Sequence, residues 1–402
     1  MKFYRGLPLF AKIVIGAILG VFLGLAIGRD AGLKVVSDLV LQFLRLLATP
    51  LILFSVLHSL LTAEVRGRTA GKLMWVLFSN TLIAVLIGMV VATVLAPGTH
   101  VSLQPPAEGF AKRPVDPAAD LLAHVPKDFV GPFAGNDLIG VILVGLAAGL
   151  ALRSLQNSEH SGRIQSLIGA IKLGLDVTLK MLHWVFELVP LAVMAIVAHV
   201  VGTTGFAPFL TMVWFTSSVV VALVLMAGVY SLRLRLSSRV RPVQFWKGGF
   251  DAFALAFSTA SSAATLPVTY ACATEKLGIK EESASLGIMV GGAFNHDGSA
   301  LYQAMSALFV AQAVGMHLSF SHHLLIIVMA IIASVASAGI PESGLVTMIA
   351  VFSAVGLPIG YIPLLLPLDW FLDRCRTTIN VAGDLASTCI IDNRPRDLTP
   401  NG

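Results

Sequence analysis

Residues 368–384 read LDWFLDRCRTTINVAGD, an apolar stretch interrupted by charged and amide side chains. At about 100° per residue, five of these polar residues fall within a sector of about 80° on one helix face. They are Asp369, Asp373, Arg376, Asn380 and Asp384. Arg374 points away from this face. Because charged side chains are costly inside a membrane helix, the pattern predicts a functional site for a ligand charged at both ends.

The composition is that of a membrane protein. Of 402 residues, 56% are hydrophobic and 12% are charged, against about 25% charged in soluble domains. A helix needs about 20 apolar residues to cross a bilayer, and six stretches approach or exceed that length. These predicted spans cover residues 8–28, 39–62, 73–96, 137–152, 181–201 and 210–230. A soluble core would not hold six such runs in succession.

Basic residues cluster in alternate loops between the predicted spans. They are Lys2 and Arg5, then Arg66, Arg68 and Lys72, then Arg233, Arg235, Arg239, Arg241 and Lys247. The positive-inside rule places this side, and with it the N-terminus, in the cytoplasm. These loops account for the net charge of +5, so no nucleic-acid partner is expected. No cleavage site follows the long first apolar run, so we interpret it as a membrane anchor rather than a signal peptide.

Two tracts of small and hydroxyl residues interrupt later apolar stretches, and each ends in an aliphatic residue and a proline. They read STASSAATLP at 258–267 and ASVASAGIP at 333–341. A proline in mid-membrane removes a backbone donor, so we expect each tract to break its helix and form a re-entrant hairpin. Broken segments recurring in two halves are typical of transporter sites. The alternative is a pair of kinked spanning helices that use small residues for close packing.

Between these tracts, residues 291–303 read GGAFNHDGSALYQ. Four polar residues flanked by glycines within an apolar span predict local unwinding. Amide, carboxylate and free backbone oxygens suit Na⁺ and also serve in proton relays.

These four motifs, in this order, resemble the glutamate transporter family, the dicarboxylate/amino acid:cation symporters. The resemblance implies an all-α membrane fold of eight transmembrane segments and two re-entrant hairpins, with inverted repeats, assembled as a homotrimer. It implies an elevator mechanism, in which one domain moves across the membrane against a static scaffold. The scaffold would comprise residues 1–72 (spans one and two) and 97–202 (an outer loop and spans four and five). The moving domain would comprise residues 73–96 (span three) and 203–402 (span six to span eight with both hairpins).

The resemblance also implies residue roles. Arg376 would bind the substrate's side-chain carboxylate in a bidentate pair, and Asp373 would hold its ammonium group. Hydroxyl, amide and hairpin backbone groups would complete the site. The implied substrate-binding set is Ser261, Ser262, Ser299, Gly339, Asp373, Arg376, Thr377 and Asn380.

Three sodium sites are implied in the same way. Asp384 would form the first site, with carbonyls of Gly291, Asn295 and Asn380. The backbone of Ser334, Val335 and Ser337 would form a second. Asp297 and Asn295 would form the third, together with Asn80 and Thr81 of the third span.

The chain departs from the family pattern at three positions. His296 stands where the family usually has methionine, and Leu77 stands where it usually has a tyrosine of the third site. Gln303 replaces a glutamate of the animal excitatory transporters, so no potassium antiport is expected. His296 has three interpretations: a satisfied interior residue, a proton-coupling group that titrates near neutral pH, or a cation ligand or a residue that supports one.

The charge pattern favours aspartate or glutamate as cargo. A neutral amino acid leaves the Arg376 guanidinium unpaired, and a C4-dicarboxylate leaves Asp373 without an ammonium group. Both substrates remain open, because Arg376 and Asp373 can neutralise each other. The alternatives from other classes are an intramembrane hydrolase and a passive channel, and we expect no enzyme. The expected location is the inner membrane of a bacterium or archaeon, with Na⁺, H⁺ or both driving uptake.

Overall fold

Every regular element in the described part of the chain is a helix. The computed structural model describes residues 9–27, 34–62, 67–100, 125–135, 137–156, 161–205, 207–337 and 343–392. Its α-helices are α1 (Leu9–Ile27), α2 (Lys34–Thr62), α3 (Gly67–Leu95), α4 (Gly131–Ala134), α5 (Leu138–Leu155), α6 (Ser161–Thr204), α7 (Ala207–Ser237), α8 (Pro242–Gly248), α9 (Phe250–Thr259), α10 (Ser262–Ala271), α11 (Glu281–Phe294), α12 (Asp297–Ala313), α13 (Phe320–Ala336), α14 (Ser343–Val355) and α15 (Ile362–Ile391). Short 3₁₀ turns cover Pro97–His100 and Ile359–Tyr361, and a π turn covers Cys272–Lys276.

Each of the six predicted spans overlaps one helix, namely α1, α2, α3, α5, α6 or α7. The fifth, predicted over residues 181–201, is only the second half of α6 (Ser161–Thr204), and the sixth, predicted to end at residue 230, continues to Ser237 in α7. Within the described residues, three segments are long and apolar enough to cross a membrane, namely Asp38–Thr62, Gly71–His100 and Met212–Ser237. Helix α6 is a fourth when its two halves, bent by 41° at residue 186, are taken as one span. Pro190 accounts for the bend, because its nitrogen cannot donate to the carbonyl four residues earlier. The apolar segments of α1 and α5 are shorter, and cover Ala11–Ala26 and Gly140–Leu155.

Helices α1, α2, α5 and α6 pack on one another and form the first helix group. Gly16, Gly20 and Gly24 recur every four residues along α1. A Cβ atom at these positions would lie 2.4, 2.5 and 2.6 Å from backbone oxygens of α6. The absence of side chains therefore lets the two backbones approach closely, as small residues do at membrane helix interfaces.

The second helix group surrounds α15, against which α3, α7, α9, α10, α11 and α12 all pack. Helix α3 also packs along α12, where a Cβ atom on Gly88 would lie 2.8 Å from the Leu301 carbonyl oxygen. Helices α13 and α14 pack on each other and on α12. The two groups meet where α15 touches α6 and where α14 touches α2.

The first small-residue tract does break its helix, but Pro267 does not cause the break. Helix α9 ends at Ala260, which adopts a left-handed conformation with φ of 52°. Ser261 then caps α10, its Oγ accepting a hydrogen bond from the Ala264 N–H. Pro267 lies inside α10, where the loss of one hydrogen bond to the Ala263 carbonyl leaves the helix intact. The expectation of a proline break was therefore wrong at this tract.

The second tract separates α13 from α14. Helix α13 ends at Ala336, and Ser337 follows it in an extended conformation. Residues 338–342, including Gly339 and Pro341, lie outside the described part of the chain.

Candidate functional site

Arg376 is the centre of the candidate site. It lies on α15 and is fully buried. Its Nη1 donates to Asp369 Oδ1 at 2.8 Å, and its Nη2 donates to Asp373 Oδ1 at 2.7 Å. These acids lie two turns and one turn earlier on the same helix face, as the sequence pattern predicts. The cluster holds two buried carboxylates and one cation, so its formal charge is negative.

Two further helices approach the guanidinium. The Tyr302 ring on α12 lies 4.1 Å from the Arg376 Cζ, within the range of a cation–π interaction. A Cβ atom on Gly344, in the first turn of α14, would lie 3.4 Å from Arg376 Nη2. The Arg376 Nε is buried and has no hydrogen-bond partner among the described residues. Since buried donors are normally paired, this nitrogen could donate to an acceptor from a ligand.

The helix break between α11 and α12 lies beside this cluster. Asn295 and His296 are non-helical, so the polar run unwinds as predicted, although over two residues only. The Gly298 N–H at the start of α12 donates to Asn380 Oδ1 at 2.8 Å. Asn380 Nδ2 lies 3.4 Å from Ser299 Oγ, and Thr377 is buried nearby on α15. Glycine is required at 298, because a Cβ atom there would lie 2.5 Å from the Arg376 carbonyl oxygen.

Asp384 and Asn295 form the first cation cluster. Asn295 Nδ2 donates to Asp384 Oδ1 at 3.1 Å. Gly291 lets α11 approach this carboxylate, since a Cβ atom there would lie 2.7 Å from Asp384 Oδ1. Asn295 Oδ1 is buried without a hydrogen-bond partner among the described residues. A buried carboxylate beside an unpaired amide oxygen fits a hard cation such as Na⁺.

Asp297, Thr81 and Asn80 form the second cation cluster, and its oxygens are already paired. Thr81 Oγ1 donates to Asp297 Oδ1 at 2.7 Å, and the Tyr230 hydroxyl donates to Asp297 Oδ2 at 2.6 Å. Arg233 Nη1 donates to Asn80 Oδ1. The Asn80 amide nitrogen donates to Ser387 Oγ at 3.1 Å.

The position of Arg233 corrects a sequence prediction. We expected Arg233 in a cytoplasmic loop after a span that ends at residue 230. Helix α7 instead continues to Ser237, and the Arg233 side chain turns back towards α3.

His296 joins the helix break to α13. Its backbone N–H donates to Ser334 Oγ at 3.1 Å, and its Nδ1 lies 3.0 Å from the Ser334 carbonyl oxygen. Because a carbonyl only accepts, Nδ1 carries the hydrogen in this contact. Ser334 and Ser337 are buried, and Val335 is partly buried. The backbone oxygen of Ser334 predicted to bind a cation is therefore engaged by the imidazole.

Arg374, on a different face of α15, contacts the end of α9, the first helix of the broken pair α9–α10. Its Nη1 donates to the Phe257 carbonyl at 2.7 Å and to the Ser258 carbonyl, at the end of α9. Its guanidinium lies 4.8 Å from the Trp370 ring centre. Ser261 and Ser262 follow at the start of α10 and are buried.

Five residues of these networks were not assigned a role from the sequence. They are Tyr230, Arg233, Tyr302, Asp369 and Ser387. Asp369 was visible on the polar face of α15. Tyr230 and Arg233 are three residues apart on α7, a spacing that places both on one face, and this was the available signal.

A helical membrane fold with a buried charged cluster beside broken helices defines a multi-pass membrane transporter. Comparison with known proteins identifies the particular family. The chain belongs to the sodium:dicarboxylate symporter family, whose model matches residues 9–394. It is therefore a transporter and not an enzyme, which excludes the intramembrane hydrolase.

Relatives align along almost the whole chain. An excitatory amino acid transporter of Caenorhabditis elegans is 29% identical over 437 residues, covering 95% of this chain and 86% of the relative. Excitatory amino acid transporter 3 of Mus musculus is 27% identical, covering 97% of this chain and 86% of its own. Excitatory amino acid transporter 2 of Homo sapiens is 27% identical, and the alignment covers 92% of this chain and 75% of the relative.

Proposed function

We propose that this protein is a secondary active symporter that takes up aspartate or glutamate together with cations. The observation that carries this proposal is the fully buried Arg376 guanidinium, held between Asp369 and Asp373 with its Nε unpaired among the described residues. The names of the relatives, all excitatory amino acid transporters, support acidic amino acids as cargo.

Each charged group of an acidic amino acid has a counterpart in the cluster. The side-chain carboxylate would accept from Arg376, taking the place of one of its aspartate partners and using the Nε that is unpaired among the described residues. The released Asp373 would then bind the substrate ammonium group. Asn380, Ser299, Thr377 and the first residues of α10 would complete the contacts, and Gly339 would contribute from the second tract.

Two other cargoes fit the cluster less well. Succinate and similar C4-dicarboxylates carry no ammonium group, although the family description names dicarboxylates. Neutral amino acids have no second carboxylate, and would leave Arg376 paired only with its own acids. Competition against aspartate uptake ranks the three classes directly.

Sodium is the coupling ion that the structure and the family description support. Asp384 with Asn295 and Gly291 offers a buried carboxylate and an unpaired amide oxygen, and Asn380 lies one turn earlier on α15. A second ion would bind backbone oxygens at the end of α13, those of Val335 and Ser337, and that of Ser334 only if its contact with the His296 ring is released. Closure of the α13–α14 pair over a loaded site would make substrate and cation binding mutually dependent.

The packing of the helices supports an elevator mechanism. The first helix group corresponds to the proposed scaffold of residues 1–72 and 97–202, and the second group to the proposed moving domain of residues 73–96 and 203–402. We propose eight spanning segments and two hairpins in inverted repeats. We also propose a homotrimer in an inner membrane, with a cytoplasmic N-terminus.

Uptake into proteoliposomes tests this proposal. Radiolabelled aspartate should accumulate above its external concentration when an inward Na⁺ gradient is imposed, and excess glutamate should suppress it. Succinate and alanine in the same excess are the competitors that test the other cargo classes. Equilibration without accumulation would indicate a passive channel, and the absence of saturable aspartate uptake would overturn the proposal.

The role of His296 is tested in the same assay with Na⁺ and pH gradients imposed separately. Its ring bonds the Ser334 carbonyl, so we propose that it takes part in coupling through the α13–α14 pair. His296→Met should then alter the Na⁺ or pH dependence of uptake. Unchanged dependence on both gradients would make His296 a satisfied interior residue.

A further inference from the structure

The second cation cluster does not fit a sodium ion, and Arg233 is the reason. A Na⁺ ion requires oxygen lone pairs that face it. Here Asn80 Oδ1 accepts from the Arg233 guanidinium. Both oxygens of Asp297 accept hydroxyl donors, from Thr81 at 2.7 Å and from Tyr230 at 2.6 Å. A guanidinium and two hydroxyl groups therefore point at the oxygens that a cation would need, whereas Asn295 Oδ1 in the first cation cluster has no donor among the described residues.

Charge points to the same conclusion. Asp297 is fully buried and needs a compensating cation. The half-buried Arg233 guanidinium interacts electrostatically with Asp297 and supplies that charge from α7. Neither Asp297 nor Asp384 has a direct ion pair among the described residues, so Arg233 acts on Asp297 at longer range, through its contact with Asn80. Asp384 interacts with Asn295 and with the like charge of Asp297, and Arg233 is not among the groups that act on it. One buried carboxylate therefore has a tethered cation near it, while the other has none among the described residues.

We propose that Arg233 is a tethered cation that permanently occupies the second cation cluster, which is the third of the sodium sites implied by the family resemblance. No Na⁺ ion then binds between Asn80, Thr81 and Asp297. The inference rests on the proposed cation-coupled symport. It adds that this site contributes charge balance but no coupled ion. A tethered charge returns with the moving domain, so it dissipates no gradient and adds nothing to the accumulation of substrate.

Sodium binding to the purified full-length protein, without substrate, tests this inference. Equilibrium dialysis against radioactive sodium gives the number of ions bound per chain. Arg233→Met keeps an apolar stem of similar length and removes the charge. Because it leaves Asp297 buried and uncompensated, we expect this variant to bind about one more Na⁺ ion per chain than the wild type. Arg235→Met, on the exposed side of the same helix, is the matched control and should bind the wild-type number.

Two variants protect the test against misfolding of Arg233→Met. Arg233→Lys retains a positive charge and should bind the wild-type number of ions. Asn80→Ala in the wild-type background should also leave the number unchanged, because Asn80 contacts arginine and not sodium. Equal sodium counts in the wild type and a folded Arg233→Met variant would overturn the proposal. Loss of an ion in Asn80→Ala would overturn it as well.

The number of sodium ions bound per chain does not depend on which substrate the protein transports. If aspartate uptake is absent but Arg233→Met gains a sodium ion, the proposed cargo fails and the tethered cation stands. If uptake is confirmed and the sodium counts are equal, the tethered cation fails and the symporter stands.

Discussion

The two helix groups are held together by different means. In the group of α1, α2, α5 and α6, buried residues are almost all apolar, and the closest contacts are made by glycines against backbone oxygens. In the group around α15, the core contains Asp297, Asp369, Asp373, Arg376 and Asp384. Among the described residues of the first group no aspartate, glutamate or arginine is buried as a whole residue, although the Nε atom of Arg45 is buried.

This difference bears on what each group can do. A contact made by shape alone has one arrangement, because close-packed side chains and backbones leave no alternative at similar energy. A buried ionic network can exchange partners, since a ligand carboxylate or a cation can replace an internal acid or base of the same charge. We therefore propose that the second group contains the parts that respond to substrate, while the first remains rigid.

The largest effect is expected from Arg376→Ala. Removing the guanidinium leaves Asp369 and Asp373 as adjacent buried carboxylates without a cation, and breaking such a pair costs about 3–5 kcal/mol. We expect aspartate affinity to fall by more than about 100-fold, measured by titration calorimetry on the purified protein. Thermal unfolding of the same sample reports whether the variant folds. Wild-type affinity in a folded variant would remove the basis for an acidic amino acid as cargo.

Gly298→Ala should impair transport through geometry rather than charge. The new Cβ atom would lie 2.5 Å from the Arg376 carbonyl oxygen and force α12 away from α15. Such overpacking costs about 1–3 kcal/mol, so uptake should fall about tenfold or more. Gly228→Ala is the matched control, since a Cβ atom on Gly228 meets nothing within 4 Å. Equal uptake by the two variants would show that the break beside Arg376 tolerates displacement.

Gly20→Ala applies the same change to the first helix group. A Cβ atom on Gly20 would lie 2.5 Å from the Met194 carbonyl oxygen, and its other near neighbours are side-chain atoms of Val197. We expect a lower unfolding temperature than for Gly228→Ala, from a loss of about 1–3 kcal/mol, with substrate affinity retained in the folded fraction. Reduced substrate affinity at unchanged stability would contradict the proposal that the first group is a rigid scaffold and only the second group binds substrate.

The sequence predicted the parts of the site that depend on local pattern. The polar face of α15 follows from helical periodicity, and the break at Asn295 and His296 follows from polar residues flanked by glycines. The prediction for Pro267 was wrong because a proline within a short helix removes only one hydrogen bond. Helix α9 ends instead because Ala260 adopts a left-handed conformation, which an alanine in the sequence does not predict.

Helical periodicity does not predict which residues of distant spans contact each other. Arg233 meets Asn80 only because α7 packs along α3, and the two residues are far apart in the chain. An arginine just past an apolar run is typical of a loop at the membrane surface. Only the packed helices show that α7 continues to Ser237 and returns this charge to the core of the second group.

Arg374→Ala should have the smallest effect of this series. Arg374 lies outside the buried network, and its guanidinium binds the Phe257 and Ser258 carbonyls at the end of α9. Its loss leaves these two carbonyls, near the break between α9 and α10, without a donor. This should lower the free energy of unfolding by about 1–3 kcal/mol without removing a proposed substrate contact. We expect substrate affinity to change by less than about tenfold, while hydrogen exchange accelerates in residues 255–262. Arg374→Lys should restore part of the protection, because lysine still donates to a carbonyl. A loss of affinity as large as that of Arg376→Ala would place Arg374 in the binding site and erase the distinction between the two faces of α15.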